Sequence, residues 1–168
     1  EFLLKFGTAV IKAVASTAGE YESLIVKYLE GTHFVFDRSR FASCDEVVSL
    51  NWTPDMNDVY KMIRLPQRIA EEKGRAYYVI LEDFQNLMLA DEYDDVFKLM
   101  EELFRERNRM QQASASFVIT GSQVNAMKYI FEEKKYFYRL VEKIGMSPVD
   151  DREIIEYIVK GFMVSGKV

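Results

Sequence analysis

The sequence predicts an α/β fold in which helices cover both faces of a parallel sheet, giving three layers. Two short apolar runs, residues 76–81 and 117–120, have the length and composition of buried strands. Segments with apolar residues at helical spacing lie before, between and after these runs. Because alternating strands and helices form crossovers between parallel strands, we expect a single covered sheet.

Composition and charge exclude several classes of protein. The chain has 168 residues, enough for one domain with a buried core, and 49% are hydrophobic and 29% charged. No apolar run approaches the roughly 20 residues that span a bilayer, so no membrane partner is expected. The net charge of −5 does not indicate a nucleic-acid partner.

The single cysteine and the single histidine restrict the possible chemistry. Cys44 cannot form an internal disulfide, which favours a reducing compartment and a cytoplasmic location. With His33 and Cys44 as the only residues of their types, a zinc site with the usual ligands is not expected. His33 also has no evident partner for a catalytic triad.

The first third of the chain predicts helices followed by two extended runs. Helical spacing covers residues 1–16 and 21–29, and the second helix should stop at Gly31. Residues 33–36 and 46–50 are extended, and the polar stretch between them predicts a loose hairpin or a disordered loop. Since a helical pattern already covers the first residue, a glutamate, we expect a natural start further upstream.

The middle of the chain contains the predicted core. A helix should begin after Thr53 or Asp55 as N-cap, break or kink before Pro66, and end at Gly74. Further helices are expected after each strand. Two of them cover about residues 94–111 and 124–133. Residues 144–146 could form a third short strand. A last helix, about 150–162, is opened by a capping box at Asp150 and Glu153.

Two carboxylates follow the first strand. Glu82 and Asp83 come directly after residues 77–81, at the edge where open parallel sheets bind ligands. In phosphoryl transfer one carboxylate can hold magnesium through water while another polarises the attacking water. The alternative is that both acids only solvate a loop.

Polar residues also follow the second strand, and an arginine lies behind a group of aromatics. If the strands are neighbours, Thr120 or Ser122 could contact a γ-phosphate or the attacking water, although a simple Gly-Ser turn explains them too. Arg139 could reach a phosphate, or it could belong to a solvated basic surface with Lys134 and Lys143. No GxxxxGK[ST] or GxGxxG phosphate loop is present.

The order of these motifs resembles the P-loop ATPases of the AAA+ and STAND type. The most similar group is a set of archaeal and bacterial predicted ATPases whose second acidic motif reads as apolar residues followed by Asp-Glu-Phe-Gln. The resemblance covers about residues 60–165. It rests on Val79-Ile80-Leu81-Glu82-Asp83-Phe84-Gln85, Val118-Ile119-Thr120-Gly121-Ser122, Met127 with Ile130 and Phe131, and Phe137-Tyr138-Arg139.

The resemblance implies roles for five residues. Glu82 would support Mg²⁺ through water, Asp83 with Gln85 would position the attacking water, Ser122 would sense the γ-phosphate, and Arg139 would supply positive charge. The acids are inverted relative to the family, and the second is one methylene shorter. The family's Walker A loop would precede residue 1, so ATP and Mg²⁺ are expected in the full-length protein and neither tightly bound to this chain.

The predicted organisation is one partial ATPase domain over residues 1–168. Residues 1–55 form a helical segment and hairpin, 56–149 the core, and 150–168 the start of a C-terminal helical lid. The predicted function is ATP binding and hydrolysis that drive a conformational change, with a protein partner or self-association. The alternative is a degenerate, non-catalytic interaction module, which the swapped acids favour.

Overall fold

The computed structural model describes residues 1–91, 93–107, 109, 114–145 and 150–166. The protein is about 60% helical, and its strands form two small sheets. Within the described ranges the helices and strands, in chain order, are α1 (Phe2–Lys12), α2 (Ala18–Tyr28), β1 (Phe34–Val35), α3 (Arg38–Cys44), β2 (Ser49–Leu50), α4 (Met56–Lys73), β3 (Tyr77–Leu81), a 3₁₀ helix (Phe84–Leu89), α5 (Tyr93–Arg107), β4 (Ala115–Ile119), α6 (Val124–Lys128), a π-helical turn (Tyr129–Glu133) and α7 (Asp151–Ser165).

The prediction of a three-layer parallel sheet is wrong. Strands β3 and β4 pair in parallel, β1 and β2 pair antiparallel, and each pair is a separate two-stranded sheet. Ile144 and Gly145 lie outside any strand, and Met146, the end of that predicted strand, is outside the described residues. Ile144 is 85% exposed, so neither a neighbouring strand nor a helix covers it in the described structure.

The N-terminal helices form where their patterns predict them. Helix α2 begins with a capping box, in which the hydroxyl of Thr17 accepts from the Glu20 amide and the Glu20 carboxylate accepts from the Thr17 amide. The two extended runs pair antiparallel as β1 and β2, which confirms the hairpin, while the polar stretch between them contains helix α3. Asp37 caps it by accepting from the backbone amides of Ser39 and Arg40.

Helix α4 is the central element of the fold. It packs against α1, α2 and α5 and against both parallel strands. Its fully buried residues include Met62 and Leu65, while Pro66 lies inside a helix that continues to Lys73. Of the predicted break or kink before Pro66, the break is therefore wrong. One missing backbone donor is offset by the apolar surface that the helix buries on both sides of the proline.

Stacked aromatic rings fill the core beside β3 and α5. The rings of Phe84 and Phe97 lie 5.2 Å apart at 16°, and Phe137 meets them edge-on at 5.9 and 5.7 Å. Each ring is essentially buried, which contributes about 1.5–3 kcal/mol per side chain. Phe137 reaches this position with a left-handed backbone, φ 61°.

The parallel pair β3–β4 is covered on one face only. Tyr77, Val79 and Leu81 face the core, whereas Tyr78 and Ile80 are 77% and 63% exposed. The apolar run was expected to be covered on both faces, so this prediction is also wrong. Apolar composition alone does not specify which side of a strand receives a covering helix.

Gly74 ends helix α4 in the left-handed conformation, φ 60°, with no atom within 4 Å of an added Cβ. We therefore expect Gly74→Ala to lose about 1 kcal/mol of stability through backbone strain alone. Urea unfolding measures this loss. Gly19→Ala is the matched control, since Gly19 has equal space but no positive φ, and it should be neutral or stabilise by up to about 1 kcal/mol. Equal effects of the two substitutions would contradict the strain argument.

Candidate functional site

The carboxyl ends of β3 and β4 bring two polar segments together. Leu81 pairs with Ile119 at the end of the ladder. Beyond it the Thr120 amide donates to the Leu81 carbonyl at 2.9 Å, and the Phe84 amide donates to the Thr120 carbonyl at 3.0 Å. These two bonds fix the residues that follow each strand against one another.

Asp83, Gln85 and Ser122 form a hydrogen-bonded cluster at this edge. The Ser122 hydroxyl donates to Asp83 Oδ1 at 2.6 Å, and Gln85 Nε2 donates to the same oxygen at 3.1 Å. Gln85 Nε2 also lies 3.3 Å from Ser122 Oγ. Asp83 itself has a left-handed backbone, φ 48°, which turns the chain sharply after β3. Three of the residues predicted from sequence therefore touch one another.

The cluster keeps Asp83 ionised. Hydrogen bonds from the side chains of Ser122 and then Gln85 hold the pKa of the Asp83 carboxyl below its ordinary value of 3.8. Both of these side-chain bonds end on Oδ1, so Oδ2 is the less engaged oxygen. Asp83 can offer that oxygen to a water molecule or a hydrated cation.

Gly121 allows Gln85 to approach the second strand. A Cβ at Gly121 would lie 2.5 Å from Gln85 Oε1 and 2.4 Å from Met127 Sδ, closer than real contacts allow. Gln85 is 4% exposed, and its Oε1 has no hydrogen-bond partner within the described part of the chain. Sequence reasoning treated Gly121 only as a turn residue, although a glycine directly after a buried strand also signals close packing.

Glu82 and Arg139 lie outside the cluster. Glu82 is exposed beside Asp83, where both line a groove along β3, and it makes no hydrogen bond or ion pair with any described residue. Arg139 is exposed and places its guanidinium 5.2 Å from the ring centre of Tyr138. The structure shows no bond between Arg139 and a described residue of the cluster.

A second polar cluster joins His33 to helix α4. His33 Nδ1 and Asp58 Oδ2 are 2.8 Å apart, and the His33 amide donates to Asp58 Oδ1 at 2.8 Å. Asp58, which is fully buried, also accepts from the Asp55 amide, and Asp55 accepts from the Asp58 amide in a capping box. His33 thus has a carboxylate partner that sequence reasoning missed; the Asp-x-x-Asp spacing before α4 was the available signal.

The second cluster fixes the start of helix α4. Ligand atoms of His33, Asp55 and Asp58 lie within 4.8 Å of one another, as in some metal sites. However, Asp58 already accepts three hydrogen bonds, which account for its burial without an ion. The hydrogen bond to Asp58 raises the pKa of His33, while the pKa of Asp58 is lowered because bonds from His33 and the Asp55 amide outweigh its desolvation.

The fold and the site define a mostly helical protein in which one short parallel strand pair carries an acid–amide–hydroxyl cluster. No helix among the described residues combines the length and hydropathy needed to cross a bilayer. No protein-family model, no curated protein and no solved structure matches this chain.

His33 is the only histidine, so its titration can be followed by NMR without assignment ambiguity. We expect a pKa above 6.5 in the folded protein, because charged His33 is stabilised by Asp58. Since the pKa is raised on folding, this contribution to stability is complete below about pH 6.5 and is lost as pH rises through the folded-state pKa.

The matched variant for this prediction is His33→Gln, which keeps a side-chain donor but does not titrate. Urea unfolding of the parent should show a loss of stability from pH 6 to 8 that the variant lacks. A folded-state pKa at or below 6.5, or the same pH dependence in both proteins, would show that the His33–Asp58 bond does not favour the charged ring.

Proposed function

We propose that this chain supplies the acidic half of a site that hydrolyses a Mg²⁺-bound nucleoside triphosphate such as ATP. The observation that supports this proposal is the cluster of Asp83, Gln85 and Ser122 at the carboxyl ends of two parallel strands. In open parallel sheets this edge is the usual place for a ligand. The three-layer P-loop fold is not part of the proposal.

The chemistry assigned to the cluster follows from its charges. Ionised Asp83, held by Ser122 and Gln85, orients an attacking water through Oδ2, the oxygen that neither of these side chains contacts. Exposed Glu82 binds the magnesium ion through water, because a hydrated Mg²⁺ retains most of its own ligands. Arg139 stands outside this assignment, since it makes no bond with the cluster in the structure.

The phosphate groups need partners that the cluster does not provide. Phosphate binding normally uses several backbone amides of a glycine-rich loop together with a lysine, and this sequence has no complete GxxxxGK[ST] motif. We propose that polypeptide outside these 168 residues supplies them. The resulting active protein would use hydrolysis to change conformation, with a protein partner or a second subunit.

A second candidate function, a non-catalytic interaction module, is favoured by uncovered apolar surface. Tyr78 and Ile80 on β3 are exposed, and α7 exposes an apolar face. The residues of that face lie at helical spacing and are Ile154, Ile155, Ile158, Val159 and Phe162. Clustered exposed apolar residues of this kind are typical of surfaces that bind another protein.

Asp83→Asn separates the two candidates in the complete natural polypeptide that contains this chain. We expect the turnover of ATP to fall by about a hundredfold or more, because the neutral amide cannot polarise water. Nucleotide affinity should change little, since the phosphate-binding groups lie elsewhere. Steady-state phosphate release and equilibrium nucleotide binding measure the two effects.

Asp91→Asn is the matched control for that experiment. Asp91 is an exposed acid of the same type in the loop before α5, with no contact to the cluster in the structure. Its replacement should leave turnover unchanged. Unchanged turnover in Asp83→Asn, or absence of any hydrolysis in the parent protein, would favour the interaction module.

The isolated 168-residue chain should bind Mg-ATP no more tightly than about 1 mM, near −4 kcal/mol, because it has no phosphate loop. Calorimetric titration is the direct measurement. Micromolar binding would mean that the described residues contain a phosphate site that neither the motifs nor the cluster geometry identifies.

A further inference from the structure

The outer edge of β3 has unpaired backbone groups. The Tyr77 amide bonds to the Ser114 carbonyl and the Leu81 carbonyl accepts from Thr120, so odd-numbered residues of β3 direct their backbone toward β4. In a parallel ladder the intervening residues point the other way. The amides and carbonyls of Tyr78 and Ile80 therefore face outward, and no described strand pairs with them.

An apolar groove runs along this free edge. One wall is the whole of β3, and the other is formed by helix α1 and the residues that flank it, from Glu1 to Val14. The half-buried residues of this second wall include Leu3 and Val10 of α1 and Val14 just after the helix. The core-facing stripe of the same helix, Phe6 and Ile11, is buried. The groove-lining residues of this segment pack partly against the core and leave the rest of their apolar surface facing the groove.

The charges that line the groove are mainly negative. Glu82 and Asp83 lie at the carboxyl end of β3, and Asp55 lies on the rim. The one lysine on the rim, Lys5, is already paired with Glu1 at 2.8 Å. The groove therefore favours an occupant that is apolar in its middle and carries positive charge near an end.

We propose that this groove binds an extended segment of another polypeptide, which adds as a third strand to the free edge of β3. Its backbone pairs with Tyr78 and Ile80, its alternate apolar side chains pack on α1, and a basic residue faces Glu82 and Asp83. A strand fits better than a helix, because only an extended backbone satisfies the outward groups of β3.

A second copy of this chain is a poorer occupant. Its own β3 directs Tyr77, Val79 and Leu81 onto its own core, where α4 packs against the strand. Those side chains cannot also fill the apolar stripe of α1. The occupant must bring a free apolar face, as an isolated extended segment does.

A synthetic ten-residue peptide that alternates valine and threonine, with a lysine at each end, is the probe. Titrated against the 168-residue chain by fluorescence anisotropy, it should bind with a dissociation constant of about 10–100 µM, modest because the peptide is ordered on binding. Hydrogen exchange should slow at the amides of Tyr78 and Ile80, and not at the solvent-facing amides of α7.

Three comparisons decide the outcome. The same peptide with glutamate ends should bind at least about tenfold more weakly, and the peptide N-methylated along one edge should not bind measurably. Ile80→Thr should weaken peptide binding several-fold. Val118→Thr should leave binding unchanged, because Val118 is exposed on the same face of the sheet but lies on β4, away from the free edge.

Several results would overturn the proposal. These are no binding at 1 mM peptide (about −4 kcal/mol), equal binding of the basic and acidic peptides, or equal effects of the Ile80 and Val118 substitutions. Dimerisation of the free chain that itself protects the Tyr78 and Ile80 amides from exchange would assign the edge to a second copy instead. Circular dichroism of both variants confirms that neither has unfolded.

Discussion

The parallel pairing of β3 with β4 is the interaction on which the rest of the structure depends. It is anchored at its start by helix α4, where Gln67 Oε1 accepts the Ala115 amide at 2.9 Å in a buried position. It is continued at its end by the bonds between Leu81, Thr120 and Phe84. The first anchor joins the sheet to the central helix, and the second brings Asp83 to Ser122. Slippage by one residue would exchange the core-facing and exposed side chains of β3 and separate the cluster.

Asp58 and Asp83 both have lowered pKa values, but their different surroundings give the two carboxylates different roles. Asp58 is fully buried, and both of its oxygens accept hydrogen bonds from His33 or Asp55, which satisfy most of its acceptor positions. Asp83 is exposed, and its two side-chain donors share one oxygen. The first arrangement stabilises the start of α4. The second keeps a charged oxygen at the surface, which is the requirement for acting on water or a cation.

The sheet β3–β4 is covered on one face and open on the other, and its open side lies next to the charged cluster. One face of β3–β4 carries the aromatic core, while the other face, the outer edge of β3 and the apolar side of α7 are open in the described structure. Exposed apolar surface is unfavourable in water, and an unpaired strand edge can pair with strands of other chains. A protein that leaves them open next to a charged cluster is suited to complete its site with another segment of polypeptide.

The sequence by itself determined the local elements. Helical periodicity predicted α1, α2, α4, α5 and α7 because an amphipathic stripe is a local property, and two apolar runs predicted β3 and β4 for the same reason. Their order also placed Asp83, Gln85 and Ser122 near one another, since the carboxyl ends of neighbouring parallel strands share an edge.

Only the tertiary structure decided how far the sheet extends and which groups pair across it. Ile144 was expected in a strand but is exposed, and the face of β3 that carries Tyr78 is apolar but is not covered by any described residue. The Asp58–His33 bond joins residues 25 positions apart, and Arg139 turns toward its own neighbour Tyr138. These outcomes depend on which surfaces meet in space, and a pattern read along one chain does not contain that information.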